Sequence, residues 1–340
     1  MKNPIIVIIG PTASGKTELS IKLAKKFSAK GEPARFDSRL DSVYARLAES
    51  RRASGRNGAE IINADSRMIY KELNIGVDKP LQSKKEKVKR KKGKRKEEFI
   101  VNGIFHHLID FLKPTDTFSI ARYQKMAQKK IKEIQKKEKT PIIVGGSPLY
   151  LDSLLYKYEL SGAKPDLKER RKLEKKSLKN LLSEIEKINP GALEKIDTNN
   201  KRRVIRALET LKSSGEIKRK KLKRLPQNIL ILGIKTDREK LYRKINNRVD
   251  LMIKNGLVRE VKKLYKKYGE KSPALSGIGY HEIIKSLKKE ISLDDAIELI
   301  KRDSRRLAKR QLAWFRRSKS IKWVSSQKQA EREIKRFLEQ

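Results

Sequence analysis

The stretch that most constrains this chain is "IIVIIGPTASGKTELS", residues 5 to 20. A β-branched apolar run leads into a glycine-bounded loop, and the loop opens an amphipathic pattern. Gly10, Pro11, Thr12, Ala13, Ser14, Gly15, Lys16 and Thr17 fit G-x-x-x-x-G-K-[ST], between a strand-like and a helix-like segment as that phosphate-loop pattern requires. Such a loop works because consecutive backbone N–H groups and the positive end of a helix converge on one anion, while the lysine adds a full charge. Gly10 and Gly15 permit the turn, Lys16 reaches the outer phosphate, and Thr17 can hold Mg²⁺. The loop implies phosphate binding and leaves the reaction open.

Further β-branched runs at 60–64, 141–145 and 229–234 join the run at 4–9 as candidate parallel strands, with helix-length segments such as 119–138 between them. This is the alternation of an α/β fold with a doubly wound parallel sheet. From 165 to 227 the strands stop and Leu and Ile recur at helical spacing, so a helical insertion domain is expected there. It divides a phosphate-loop core over 1–164 from a return to the core and C-terminal helices over 228–340, with a short strand at 321–324.

Two segments stand apart. Residues 31–58 contain arginine but no lysine, with Phe36, Leu40, Val43 and Leu47 on one helical face, and read as an insertion. Residues 83–98, "SKKEKVKRKKGKRKEE", are a charge run expected to form a mobile loop, either solvated or in contact with nucleic acid.

With 340 residues and a formal charge of +45, the chain is large enough for a full core and far more basic than solubility needs. A polyanionic partner accounts for that excess, as does a general bias to lysine. The absence of cysteine excludes disulfides, thiolate zinc sites and cysteine nucleophiles. The first apolar run is too short for a signal sequence or a membrane span, so a cytoplasmic protein without a membrane is expected, and a monomer is the default.

Two more motifs sit at candidate strand ends. In "EIINADSRMIYKELNIGVDKP", residues 60–80, Asp65 follows a buried run, where a carboxylate can take a proton, hold magnesium or cap the next segment. A near copy, "DSRLDSVY" at 37–44, lacks a preceding strand, which argues against Asp37. In "PIIVGGSPLY", residues 141–150, Gly145 and Gly146 permit close approach and Ser147 offers a hydroxyl, unless the segment is a plain tight turn. His106 and His107 are adjacent and point to different sides, which favours packing over a shared metal.

The order GPTASGKT, NADSRMIY…NIGVDKP, HHLID, VGGSPLYL, RALE, NRVDLMIKNGLVREV, GIGYHE, LAKRQLAWFRR resembles the tRNA dimethylallyltransferase family across nearly the whole chain. The resemblance implies that the loop holds the diphosphate of dimethylallyl diphosphate, with Mg²⁺. It further implies transfer of the prenyl group to the exocyclic amine of the adenosine 3′ to the anticodon. By position, Asp65 resembles the general base, Ser147 a hydroxyl near the reacting base, and Arg248 an arginine that steadies the diphosphate. The implied tRNA contacts are Asp65, Ser66, Arg67, Met68, Ser147 and Lys168. They continue with Arg202, Arg203, Val204, Ile205 and Arg206 in "KRRVIRALE", then Gly277, Gly279 and Tyr280, then Lys309, Arg310, Gln311, Trp314 and Arg316. The rival readings are an adenylate isopentenyltransferase acting on free nucleotide and a phosphate-loop nucleotide kinase. Neither gives the basic C-terminal helices a task.

Overall fold

The β-branched runs become neighbours in one sheet. The computed structural model describes residues 3–27, 58–80, 83–89, 95–158, 166–215, 217 and 225–340. Its strands are β1 (Ile5–Ile9), β2 (Ala59–Asn63), β3 (Ser83–Lys89), β4 (Arg95–Val101), β5 (Ile104–His107), β6 (Thr140–Gly145), β7 (Ile229–Ile234) and β8 (Ile321–Val324). They lie in the order β3-β4-β5-β2-β6-β1-β7-β8. Every pairing from β5 across to β8 is parallel, and β4 and β3 add an antiparallel hairpin at one edge.

The hairpin corrects the loop expected over 83–98, since the described parts of that run pair as strands. Register explains how: Phe99 and Val101 of β4 are buried and hold the strand against β5, and β3 then pairs along β4 into the charged run. Of the residues discussed above, Phe36, Asp37, Leu40, Val43 and Leu47 lie outside the described residues.

The helices are α1 (Lys16–Phe27), α2 (Ile120–Lys136), α3 (Pro148–Leu155), α4 (Leu167–Lys175), α5 (Leu178–Ile188), α6 (Lys201–Ser214), α7 (Arg238–Lys254), α8 (Leu257–Tyr268), α9 (Tyr280–Leu287), α10 (Leu293–Phe315) and α11 (Gln327–Glu339). Leu23, Ala24 and Phe27 of α1 and Ala330, Ile334 and Phe337 of α11 pack with Ile6, Ile8, Ile142 and Leu232 on one face of the sheet. On the other, α2 starts where the Ser119 side chain accepts the Arg122 N–H, and the buried Tyr123 hydroxyl donates to the Asn63 carbonyl at 3.2 Å. With helices on both faces, strand residues on both faces are buried, which is why β1 reads as an unbroken apolar run.

Two compact units emerge: Met1–Leu155 with Leu225–Gln340, and Tyr156–Arg224. The second is built from α4, α5 and α6, capped by Asp166, Ser177 and Asn200, and closed by Gly215 at φ 71°. Its core is Leu173, Leu181, Ile185, Val204, Ile205, Leu208 and Leu211. Among the described residues, no helix is long and apolar enough to cross a membrane.

Candidate active site

Parallel strands deliver their carboxyl ends to one edge, and three loops meet there: the phosphate loop after β1, Asp65 after β2, and Ser147 after β6. The loop's curvature comes from Ala13 at φ 60° and Gly15 at φ 84°. Left-handed residues among right-handed ones turn successive N–H groups inward, the arrangement that receives anions. Gly10 serves differently: a Cβ there would lie 2.6 Å from the Ser14 hydroxyl. That Ser14 hydroxyl is buried and has no protein partner, as expected of a donor reserved for a ligand.

Lys16 is buried at the start of α1, with its ammonium donating to the Pro11 carbonyl at 3.2 Å. Burial pushes its pKa down, Asp65 and Asp78 oppose that, and Arg248 adds to it. Arg248, on α7, donates to the Thr12 hydroxyl at 2.7 Å and pairs with Asp78 at 3.5 Å. Lys16 and Arg248 are thus close enough to interact electrostatically, both at the phosphate loop.

Asp65 sits in a tight polar turn. Its carboxylate accepts the Arg67 N–H at 2.8 Å, and Asn63 accepts the Asp65 N–H at 3.0 Å while donating to the Asp65 and Leu108 carbonyls. Ser147 accepts the Ser66 N–H at 3.0 Å and donates to the Ser66 hydroxyl at 3.3 Å, which ties the β6 loop to the Asp65 turn. Gly145 makes this possible: a Cβ there would fall 2.2 Å from the Ala64 carbonyl oxygen.

A cavity opens between these parts, lined by polar residues that include Lys16, Thr17 and Asp65 and by apolar ones that include Met68, Ile109 and Val144. His106 joins the wall. Its Nδ1 donates to the Ile104 carbonyl at 3.0 Å, its Nε2 has no protein partner, and burial pushes the imidazole down to about 4, so it is neutral near pH 7. His107 turns to the opposite face and bonds Glu60 at 2.6 Å. Burial pushes Glu60 up, but His107 and Lys139 outweigh it and bring that carboxyl down to about 2. His107 is thus held by a hydrogen bond, and His106 by packing and a hydrogen bond from one ring nitrogen.

The family model described as IPP transferase matches residues 68–318. The chain belongs to that family. It is 41% identical over 331 residues to a tRNA dimethylallyltransferase of Acetivibrio thermocellus, covering 94% of this chain and 91% of the relative. A tRNA dimethylallyltransferase of Bacillus subtilis is 36% identical over 343 residues, covering 98% and 95%. Among solved structures, the tRNA isopentenylpyrophosphate transferase of Bacillus halodurans superposes with a TM-score of 0.63 at 32% identity, over 99% of this chain and 96% of that one. A eukaryotic dimethylallyltransferase solved acting on tRNA gives 0.70 at 26% identity, over 94% and 73%.

Several residues carried over as tRNA contacts are held inside the protein. Val204 and Ile205 belong to the core of the helical unit, leaving Arg202 and Arg203 exposed on α6 and Lys168 exposed on α4. Arg206 is half-buried and, with Arg170, grips Glu209: the Arg170 pair is bidentate at 2.7 and 2.6 Å, and Arg206 adds a bond of 3.0 Å. Gly277, Gly279 and Tyr280 are buried too, and Arg67 donates to the Pro273 carbonyl and the Ser276 hydroxyl, both at 3.1 Å. Lys309, Arg310 and Arg316 are exposed at the end of α10, where Trp314 donates to Asp152 at 2.7 Å.

Gln311 is the clearest reassignment. It is buried, accepts the Thr12 N–H at 2.9 Å, and donates to the Gly146 carbonyl at 2.7 Å. A Cβ on Gly146 would lie 2.6 Å from that amide. The signal in the sequence is a glutamine at the buried phase of a helix, in step with Ala308 and Phe315.

Glu260 of α8 has no counterpart in the sequence reading. It accepts three consecutive N–H groups, Asn74 at 3.1 Å, Ile75 at 2.9 Å and Gly76 at 3.2 Å, and also the Tyr280 hydroxyl at 2.7 Å. This fixes the "NIGVDKP" segment that carries Asp78.

Proposed function

We infer that the chain transfers a dimethylallyl group from dimethylallyl diphosphate to the exocyclic amine of the adenosine 3′ to the anticodon in tRNA, releasing diphosphate. The observation that carries this reading is that Lys16, Thr17 and Asp65 line one cavity whose remaining walls include Met68, Ile109 and Val144. A phosphoryl donor would leave those apolar walls without a task. A five-carbon chain attached to a diphosphate uses both kinds of lining residue.

In this reading the loop amides, the Ser14 hydroxyl, Lys16 and Arg248 hold the diphosphate and stabilise the charge that grows as the C–O bond breaks. Asp65 accepts a proton from the amine as the new N–C bond forms, then passes it to solvent. Ser147 positions Asp65 through Ser66. The target base leaves its stack to reach the cavity, since chemistry on a nucleobase needs an extruded or unpaired base.

The Thr17 hydroxyl together with diphosphate oxygens is the hard-oxygen set that Mg²⁺ takes, with few protein ligands. Among the described residues no cluster of three or more His, Cys, Asp or Glu suggests a protein cage. Bound there, Mg²⁺ supplies Lewis-acid stabilisation of the leaving group. A tRNA substrate fits a cytoplasmic protein, and the presence of every named group on one chain supports a monomer. Purified protein with labelled dimethylallyl diphosphate, offered tRNA, AMP and ATP in parallel, tests the reading. Label in tRNA alone is expected, and label in AMP or ATP instead would replace it with the free-nucleotide reading.

A further inference from the structure

The chain is anchored on both sides of Asp78. Before it, Glu260 accepts the N–H groups of Asn74, Ile75 and Gly76, and Gly76 lies so close to the Tyr280 ring that a Cβ there would come within 2.6 Å of it. After it, the buried Lys79 ammonium donates to the Tyr70 carbonyl and the Asp110 carboxylate. Asp78 closes the turn between these anchors: its N–H donates to the Ile75 carbonyl at 3.1 Å, and its φ is a left-handed 55°. Most residues with a Cβ are strained at that angle, and aspartate and asparagine are among those that tolerate it. Two anchors and an unfavourable backbone angle thus present one carboxylate, 62% of whose side chain remains exposed.

That carboxylate meets Arg248. Nε of the guanidinium lies 3.5 Å from Asp78, and Nη1 donates to the Thr12 hydroxyl of the phosphate loop at 2.7 Å. Lys16 responds to the same pair: burial lowers its pKa most, Asp65 and Asp78 push it back up, and Arg248 pushes it down. Asp78 therefore opposes a repulsion between two cations that serve one anion site.

The reaction gives this arrangement a consequence. As the donor's C–O bond breaks, the electron pair stays on the oxygen, so diphosphate ends with one more negative charge than the ester carried. Groups that stabilise the leaving oxygen in this way also retain the product. Once per turnover diphosphate must go, and Lys16 and Arg248 then stand together without it. A fixed anion beside Arg248 makes that state less unfavourable.

We propose that Asp78 is an internal counter-anion that competes with diphosphate for Arg248 and so sets how readily the product leaves. Asp78 tunes the site through Arg248 and takes no part in bond making. The proposal rests on the reading above in taking diphosphate as the leaving group.

The test is Asp78→Asn in the full chain, because asparagine keeps the left-handed angle and the side-chain size while removing the charge. Calorimetric titration with inorganic diphosphate and Mg²⁺ should give a Kd about three- to fivefold below wild type at low salt, the upper range for a solvent-exposed ion pair. The difference should shrink as salt is raised, since exposed charges are screened. The inhibition constant of diphosphate against dimethylallyl diphosphate should fall by the same factor. In an Arg248→Gln background, Asp78→Asn should leave the Kd unchanged, because the two residues act through one contact. A Kd at or above the wild-type value in Asp78→Asn would overturn the proposal. So would a gain that persists in full without Arg248, which is the mark of plain charge repulsion. The titration needs neither RNA nor turnover, so failure of the wild-type protein to prenylate tRNA would overturn the reading of the reaction separately.

Discussion

Gln311 accepts the Thr12 N–H at 2.9 Å across 299 positions of chain, so the far end of α10 helps set the shape of the phosphate loop. The same amide donates to Gly146, which joins the loops after β1 and β6 through one side chain.

Gln311→Ala should therefore behave as a donor-site lesion. Removing a buried hydrogen-bonding side chain and leaving partners unsatisfied costs about 1–3 kcal/mol, or roughly 5- to 150-fold in kcat/KM for dimethylallyl diphosphate. RNA affinity measured without donor should change little. A loss confined to RNA binding would return Gln311 to the acceptor surface.

Asp65 admits a finer test than deletion. Asp65→Asn keeps an oxygen able to accept the Arg67 N–H, so the turn stays while the base is lost. Turnover should fall by about 10²- to 10⁴-fold with RNA binding retained. Asp65→Ala also opens the turn and should lose thermal stability as well, whereas Asp37→Ala should be close to neutral. Near wild-type turnover in Asp65→Asn would remove Asp65 from the chemistry.

Lys16→Ala and Thr17→Ala should each raise the KM for the donor or lower kcat, and EDTA should stop transfer. Steady-state kinetics with magnesium titrated back should show recovery in wild type and a weakened response in Thr17→Ala. Full activity in EDTA would rule out the metal.

On α6, Arg202→Ala with Arg203→Ala should weaken tRNA affinity and reduce the salt slope by about 0.7–0.9 per lost phosphate contact. Arg206→Ala should differ, because Arg206 helps hold Glu209 below the usual carboxylate range against the upward push of burial. Its main effect should be a lower melting temperature, read by circular dichroism beside filter binding.

Acid should destabilise the fold in two windows. His106 is pushed by burial from 6.5 to about 4, so between those pH values the unfolded chain takes a proton that the folded one refuses. Stability then falls as pH drops, by up to about 3 kcal/mol, and levels off below pH 4. Glu60 is brought from 4.5 to about 2, so its contribution is present above 4.5 and is lost as pH falls toward 2. Melting temperatures measured against pH should show both, and His106→Phe should remove the upper window only.

The sheet was legible because β1, β2, β6 and β7 each carry a short apolar run with Ile or Val at its centre, and the phosphate loop, Asp65 and Ser147 because each follows such a run. The β3–β4 hairpin was not, since the lysines that mask it outnumber the few apolar residues, Phe99 among them, that hold it to β5. Val204, Ile205 and Tyr280 sit inside motifs that are legible as a block, yet a block does not tell which of its members face inward. Gln311 and Glu260 were hidden for a related reason: their partners are backbone N–H groups 184 to 299 positions away, which no local pattern encodes.

Glu260 gives the molecule a second amide cradle. Consecutive N–H groups of Asn74, Ile75 and Gly76 converge on its carboxylate much as the loop after β1 is built to converge on a phosphate. One cradle is kept for a ligand that comes and goes, and the other carries a permanent internal plug. Withdrawing the plug, as Glu260→Ala would, turns a strut into a receptor: the emptied amides and the Tyr280 hydroxyl would recruit chloride or phosphate from the buffer, and the variant's stability would come to depend on which salt it is dissolved in.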